Sequence, residues 1–185
     1  MMTLSDKITA IIPNYNDASL LPNAINSLLK QTEVLHEIII VDDGSTDDSV
    51  NIVEKLKEYH SNIRLIQFEK NLGVCAALNQ GIENATGDYI ILCAADDTYD
   101  TQMAALAKHA IHHNPRVGLI CGDAIVNRFD LKNSFYRKLP YNKKNAWITP
   151  LELRQEAKQC YVGFNAGGLI LIRRKAVLEA HMLYP

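Results

Sequence analysis

The chain reads as an α/β protein with a mostly parallel sheet flanked by helices on both faces. Three observations predict this. Short, β-branched apolar runs recur, as in Ile38-Ile39-Ile40-Val41 and Tyr89-Ile90-Ile91-Leu92-Cys93-Ala94-Ala95, and such runs fit strands buried on both faces of a parallel sheet. Segments with helical apolar spacing alternate with them, the pattern of β-α-β units. Two acidic pairs, Asp42-Asp43 and Asp96-Asp97, each follow one of these runs. In open α/β sheets, ligands bind beyond the carboxyl ends of the strands, so four carboxylates are expected to converge there.

The elements follow in order. Ile8 to Pro13 reads as a strand and Asn14 to Asp17 as a polar turn. Ser19 can cap a helix carrying Leu20, Leu21, Ala24, Ile25, Leu28 and Leu29, with Pro22 in its first turn, where a missing N–H costs little. His36 and Glu37 lead into the second strand. Gly44 turns the chain, and Ser45 or Thr46 can cap a helix bearing Val50, Val53, Leu56 and Tyr59, with Asp47 and Asp48 favouring its dipole. A third strand spans 63 to 68. A helix from 74 to 85 is stopped at Gly87. The fourth strand runs from 89 to 95, a helix from 101 to 113 ends before Pro115, and 117 to 126 reads as a fifth strand. Residues 127 to 147 lack a clear period. Pro150 opens a short helix to Lys158, and 167 to 172 reads as a last strand before Arg173-Arg174-Lys175 and the start of another helix.

The 185 residues suffice for one domain with a real core. Hydrophobic residues make up 48% and charged residues 22%, ordinary for a soluble globular protein. A formal net charge of −2 gives no reason to expect nucleic acid as a partner. No apolar stretch approaches the roughly 20 residues that span a bilayer, and the N-terminus lacks the apolar region of a signal peptide, so a cytoplasmic protein is expected. Cys75, Cys93, Cys121 and Cys160 form no C-x-x-C pair, which argues against zinc. Cys93 and Cys121 sit in apolar runs and are expected as buried thiols, consistent with a reducing compartment.

Several motifs carry chemistry, and each has a plainer alternative. Pro13-Asn14-Tyr15-Asn16 leaves the first strand at the acidic end of the sheet, where Tyr15 can stack on a base; a Pro-Asn turn accounts for the same residues. Asp42-Asp43-Gly44-Ser45 suits the edge of a base or a ribose hydroxyl, or else an acidic helix cap. Asn71-Leu72-Gly73 allows close backbone approach to a ligand, or forms a turn. Asp96-Asp97 is the best candidate for a hard divalent cation, Mg²⁺ or Mn²⁺, shared with substrate phosphates; a solvated acidic loop is the alternative. The basic stretch with Arg128, Lys132, Arg137, Lys138, Lys143 and Lys144 suits an acidic acceptor or an anionic membrane surface, or solvent alone. His112-His113 places cations near a helix C-terminus. Trp147 and Tyr161 can pack a sugar face or the core.

Taken together, these residues resemble the family 2 glycosyltransferases with the GT-A fold, a Rossmann-like nucleotide-binding architecture. Pro13 to Asn16 looks like the family's opening P-x-Y-N, Glu37 to Asp47 (EIIIVDDGSTD) like its second strand and acidic turn, and Asn71 to Asp97 like the segment leading into its metal motif. Arg173-Arg174 after Gly167-Gly168 looks like a later landmark. The resemblance implies residues 1–126 as the donor-binding half of one structural domain and 127–185 as the start of an acceptor-side half, with the chain expected to be incomplete. It implies a donor site of Pro13, Tyr15, Asn16, Asp42, Asp43, Asn71, Gly73, Asn79 and Asp96. In that site Tyr15 stacks on the base, Asp43 accepts from the base ring N–H and Asp42 supports the turn. Asp96 holds ribose or metal, and Asp97 ligates the metal bridging the diphosphate. The implied reaction moves a sugar from a nucleoside-diphosphate sugar, commonly UDP-linked, to an acceptor hydroxyl with inversion and metal dependence. The implied acceptor is a sugar or lipid-linked group, and a peripheral place at the inner face of a membrane fits it.

The chain departs from the family pattern at three points. Ala94 stands where the metal motif often begins with Asp, so metal binding rests on Asp96 and Asp97. Leu78 stands where many members carry Arg before the residue aligned with Asn79, removing a phosphate contact. The family's catalytic base follows the Arg-Arg landmark, often as Glu-Asp, and no such pair occurs here; Asp123, Asp130, Glu152, Glu156 and Glu179 do not align with it. A nucleotide-sugar-binding module without turnover is therefore the alternative reading. A phospho-acceptor receiver domain also carries an acidic pair after a strand, but it lacks a second pair and needs a lone Asp after the third strand.

Overall fold

The computed structural model describes residues 6–115, 118–121, 124–128, 133–137 and 170–179. Its elements are β1 (Ile8–Asn14), α1 (Leu21–Leu29), β2 (Glu37–Asp42), α2 (Ser49–Tyr59), β3 (Ile63–Gln67), α3 (Val74–Asn84), β4 (Tyr89–Leu92), α4 (Met103–His113), β5 (Leu119–Cys121), β6 (Ala124–Arg128), β7 (Asn133–Arg137), β8 (Ile170–Arg173) and a short α5 (Arg174–Glu179). The chain divides into two compact units, Met1–Ile120 with Ile170–Pro185, and Cys121–Leu169.

The first unit is built on a six-stranded sheet in the order β3-β2-β1-β4-β8-β5. The strands β3, β2, β1 and β4 are parallel, and β8 joins β4 antiparallel with Tyr89 opposite Arg173. The mostly parallel sheet expected from the alternating pattern is therefore present. Each step from β1 to β2 to β3 moves one way across the sheet, and the step from β3 to β4 moves back. Right-handed crossovers then place α1 and α2 on one face and α3 on the other. The reversal lies between β1 and β4, the switch point at which such sheets bind ligands.

Burial explains the nearly unbroken apolar strands. On one face Ile11, Ile39, Val41 and Ile90 pack with Ala77, Ile82 and Ala85 of α3 and its C-cap, and with Val177 of α5. The residues of opposite parity, Ala10, Ile12, Ile38, Ile40 and Ile91, are also wholly buried, so the second face is covered as well. The stripes Leu21, Ala24, Ile25, Leu28 of α1 and Ala104, Ala107, Ile111 of α4 are equally buried. Helix α3 lies very close to β1: a Cβ on Gly81 would run into Ile11 Cγ2.

Several boundaries differ from the sequence reading. Ser19 does not cap α1; the helix starts two residues later, after a turn in which Leu20 and Leu21 N–H donate to Asp17 O at 2.9 Å each. Neither Ser45 nor Thr46 caps α2, because both are held by the β1–α1 turn instead. The hydrogen-bonded part of β4 ends at Leu92, leaving 93–95 as a lead into the acidic turn. The expected fifth strand is two: β5 joins the main sheet, while β6 pairs antiparallel with β7. β6 begins inside the expected fifth strand and runs two residues into the stretch read as irregular, where β7 lies wholly, its five residues too few to show a period among polar neighbours. The helix expected at 150–158, Trp147, Tyr161, Cys160, Gly167-Gly168 and the side chains of the basic stretch lie outside the described residues.

The end of the sheet opposite the acidic pairs is held by a buried carboxylate. Glu37 Oε1 accepts from Thr9 Oγ1 at 2.8 Å, from Thr86 N–H at 2.6 Å and from Thr86 Oγ1 at 2.8 Å, and Oε2 accepts from Arg64 Nη1 at 2.7 Å. Three strands and the α3–β4 loop thus meet on one side chain. Arg173 lies at this end too, 4.9 Å above the Tyr89 ring and bonded to Pro115 O, while Arg174 N–H donates to Asp88 O at 2.9 Å. The Arg-Arg landmark is therefore a brace at the far edge of the sheet.

Burial alone would raise the Glu37 pKa, but the donors from Thr86, Arg64 and Thr9 outweigh it and lower it from 4.5 to about 2. The folded value is below the unfolded one, so this stabilisation is complete above about pH 4.5 and is lost as the pH falls through about 2. Its size is on the order of 3 kcal/mol. Substituting Glu37→Gln is expected to destabilise the fold by about 2–4 kcal/mol at pH 7 and to flatten the acid limb of the stability curve, as read by urea unfolding at a series of pH values.

Candidate functional site

The site is built outward from the two residues at the end of β2. Successive strand residues point to opposite faces, so the adjacent carboxylates of Asp42 and Asp43 reach different loops. Asp42 Oδ1 accepts from Asn14 Nδ2 at 2.8 Å, and Oδ2 accepts from Ser45 N–H at 3.0 Å. Asp43 accepts from Leu72 N–H at 2.6 Å and Gly73 N–H at 2.9 Å, while its own N–H donates to Asn14 O at 2.8 Å. Both side chains are almost fully buried, at 2% and 3% exposure. Carboxylates this buried need hydrogen-bond donors, and these come from the end of β1, the turn after β2 and the loop before α3.

Asn16 completes the frame. Its backbone is left-handed, with φ +59°, a conformation that Asn tolerates better than most residues. Its Oδ1 accepts from Thr46 N–H at 2.8 Å and Asp47 N–H at 3.3 Å, and its own N–H donates to Ser45 Oγ at 2.9 Å. Asp47 reaches back, accepting from Ala18 N–H at 2.9 Å and Ser49 N–H at 3.0 Å. The donors ahead of α2 are thus satisfied from a neighbouring loop as well as locally. Gly44, at φ +73°, lets the turn press on the next loop: a Cβ there would sit 2.7 Å from the Lys70 carbonyl carbon.

These loops enclose a cleft of about 290 Å³. Of the residues expected at a donor site, Pro13, Tyr15, Asp43, Asn71 and Gly73 line it; Asn14, Asp17, Val74 and Ala77 join them. Tyr15 is 47% exposed beside it. Asn16 and Asp42 stand behind this lining as framework, and neither Asn79, partly buried on α3, nor Asp96 is among the lining residues. Asn14, part of the expected turn motif but not of the expected donor-site set, spends both amide hydrogens on Asp42 and Ser45, and its Oδ1 is buried without a partner. A second hollow of about 330 Å³ beside the end of β3 is lined by Gln67–Lys70 and Leu72 and shares none of the expected residues.

Asp96 and Asp97 follow β4 across the switch point. Burial and then the charge of Asp96 raise the Asp97 carboxyl above the usual range. Burial, Asp96 and Asp47, in that order, do the same to Asp17 in the cleft wall. The cleft and the acidic turn therefore share one electrostatic neighbourhood. Among the described residues no group of three or more His, Cys, Asp or Glu forms a ready cage for a metal. Two mutually repelling carboxylates nevertheless fit Mg²⁺ or Mn²⁺, which take one or two protein carboxylates and complete their shells with phosphate oxygens and water. Cys93, just before the turn, is a buried thiol whose pKa burial pushes up to about 12, so it stays protonated and takes no nucleophilic part.

Residues 9–179 match the family described as Glycosyl transferase family 2. A poly-beta-1,6-N-acetyl-D-glucosamine synthase of Staphylococcus aureus is 30% identical over 172 residues, covering 93% of this chain and 40% of the synthase. Among solved structures, S. aureus TarS 1–349 superposes with a TM-score of 0.74 at 22% identity, covering 97% of this chain and 50% of that one. It has also been solved in complex with UDP and with UDP-GlcNAc. Mannosyltransferase PcManGT of Pyrobaculum calidifontis, in complex with GDP-Man and Mn²⁺, superposes with a TM-score of 0.63 at 22% identity, covering 97% of this chain and 47% of that one. These likenesses establish the GT-A fold. The chain spans half or less of the length of these proteins.

Substituting Gly44→Ala forces a side chain into a left-handed residue and against the Lys70 backbone. It is expected to destabilise the fold by about 2–4 kcal/mol, read by urea unfolding, with a larger effect than Gly73→Ala, which carries the backbone strain of φ +94° but no clash, since a Cβ there would meet nothing within 4 Å.

Proposed function

The chain belongs to glycosyl transferase family 2, and on that premise we propose that it binds a UDP-linked sugar in the cleft and serves its transfer to an acceptor hydroxyl with inversion. The observation that carries this reading is the Asp42–Asp43 frame, which spends its bonds on fixing three loops and leaves Tyr15 exposed beside the cleft. The UDP and UDP-GlcNAc complexes of TarS and the polysaccharide made by the synthase relative support a sugar-nucleotide donor and a role in polysaccharide synthesis.

In this reading Tyr15 stacks on the base. Asp43 accepts the base ring N–H with lone pairs left over from its two backbone bonds, and Asn14 Oδ1 offers a second buried acceptor at the same wall. Pro13, Asn71 and Gly73 shape the nucleoside pocket, and Asp96 meets the ribose. Asp96 and Asp97 would hold Mn²⁺ or Mg²⁺, which neutralises charge developing on the departing diphosphate; the Mn²⁺ in the mannosyltransferase complex supports that choice. The acceptor, a sugar or lipid-linked hydroxyl, loses its proton to a carboxylate other than Asp42 and Asp43, which already hold backbone N–H groups. No helix among the described residues is long and apolar enough to cross a membrane. We place the reaction in the cytoplasm, at the inner membrane face where the acceptor is lipid-linked.

Calorimetric titration with UDP tests this reading. Mn²⁺ is expected to tighten binding by about tenfold or more, and Asp97→Asn to remove that gain. Tyr15→Ala should weaken binding by about tenfold with or without metal, the loss expected for one stacked base. No affinity for UDP, or none that responds to Mn²⁺, would contradict it.

A further inference from the structure

We propose that Gln31 is a positioning residue for the Asp96-Asp97 turn, so that the C-terminal end of α1 sets the geometry at which a divalent cation meets the donor diphosphate. The inference rests on the metal assignment proposed above and concerns a residue that does not touch the cleft.

Gln31 lies two residues beyond α1, and its side chain is buried, at 6% exposure. A buried amide has two donor hydrogens and one acceptor oxygen to satisfy, and all are used. Nε2 donates to Ser27 O at 3.1 Å and to Asp100 O at 2.7 Å, and Oε1 accepts from Ala104 N–H at 2.9 Å. One side chain thus joins the end of α1 to the strand-to-helix segment carrying the acidic pair and to the first turn of α4.

The same strip of α1 makes further bonds to that segment. Ser27 Oγ accepts from Tyr99 N–H at 3.1 Å, and Thr32 N–H donates to Thr101 O at 2.8 Å. The near side of the turn is fixed to the sheet, because Cys93 N–H donates to Ile11 O at 2.9 Å. Between these anchors the turn closes on itself: Tyr99 Oη accepts from Ala94 N–H at 3.3 Å, and Asp97 N–H donates to Ala94 O at 3.3 Å. Asp96 and Asp97 therefore sit on a short span held at one end by β1 and at the other by α1. Gln31 is the side chain of the strip that bonds both this segment, at Asp100 O, and α4, at Ala104 N–H. Such supports orient metal-binding carboxylates without touching the ion, and their removal commonly costs about 10–100-fold in metal affinity.

The test uses the full chain, UDP and MnCl₂. Gln31→Met keeps the side-chain volume and removes all three hydrogen bonds. It is expected to cut the Mn²⁺-dependent gain in UDP affinity by about tenfold or more, while UDP alone binds within about twofold of the parent protein. Ser27→Ala removes the Tyr99 anchor together with the local Ser27 Oγ–H bond to Ala24 O, and it leaves the Gln31 bonds in place. It should reduce the same gain by about three- to fivefold, and it carries the test should Gln31→Met fail to fold. A purely structural Gln31 would weaken both arms together or leave both unchanged, and either pattern in folded variants overturns the proposal. If the parent protein gains nothing from Mn²⁺, the metal assignment falls and takes this inference with it. If the parent gains and both variants keep the gain, only the positioning role falls.

Discussion

Two consecutive carboxylates at the end of β2 constrain everything around the cleft. A strand sends neighbouring side chains to opposite sides, so Asp42 and Asp43 have to find donors in different places. Asp42 finds them in Asn14 and the Ser45 amide; Asp43 finds them in the Leu72 and Gly73 amides. An ionised carboxylate excluded from water without partners costs several kcal/mol. The two loops that supply those partners are therefore held where the carboxylates need them. The cleft between those loops is a consequence of satisfying two buried carboxylates. Preorganisation of this kind spares a ligand the cost of ordering the loops.

The two ends of the sheet use the same device for different purposes. At the far end Glu37 gathers Thr9, Arg64 and Thr86, and its donors leave no room for a ligand. At the near end the carboxylates are satisfied mainly by backbone amides, which leaves side chains such as Tyr15 outside the network and open to the cleft. The second acidic pair behaves differently again. Asp97 is pushed up by burial and by Asp96, so this turn carries repulsion that a cation would relieve. The first pair is held by its donors and the second carries repulsion, a division that suits the proposed nucleotide beside the first and the proposed metal-bound diphosphate beside the second.

Much of this was legible in the chain. The apolar runs before both acidic pairs gave the parallel strands, because burial on both faces removes the alternation that a half-exposed strand would show. Asn71 and Gly73 were expected at the cleft and line it. Asp42 and Asp43 were readable as a pair but not as opposed clamps, since that depends on which loops the fold brings near. Helix starts were misplaced at Ser19 and Ser45 because propensity cannot see the Asp17 carbonyl turn ahead of α1, or Asn16 holding the Thr46 amide ahead of α2 from thirty residues away. Asn14 was hidden inside a motif whose neighbours drew attention, and a buried polar contact leaves no periodic trace. Gln31 was invisible for the same reason: nothing around it distinguishes a surface Gln from one bonded to Asp100 and Ala104. Of the second unit's hairpin, β6 was merged into the expected fifth strand and β7 was lost in a run too short to show a period.

The central claim is that the cleft framed by Asp42 and Asp43 holds the nucleoside while Asp96 and Asp97 meet the metal-bound diphosphate. The most direct measurement is a crystal structure of the protein with UDP and Mn²⁺. The account predicts the uracil against Tyr15, its ring N–H on Asp43 or Asn14 Oδ1, the frame bonds unchanged, and Mn²⁺ bound through Asp96 or Asp97 to the diphosphate. Uracil bound elsewhere, or a frame that must break to admit it, would contradict the account.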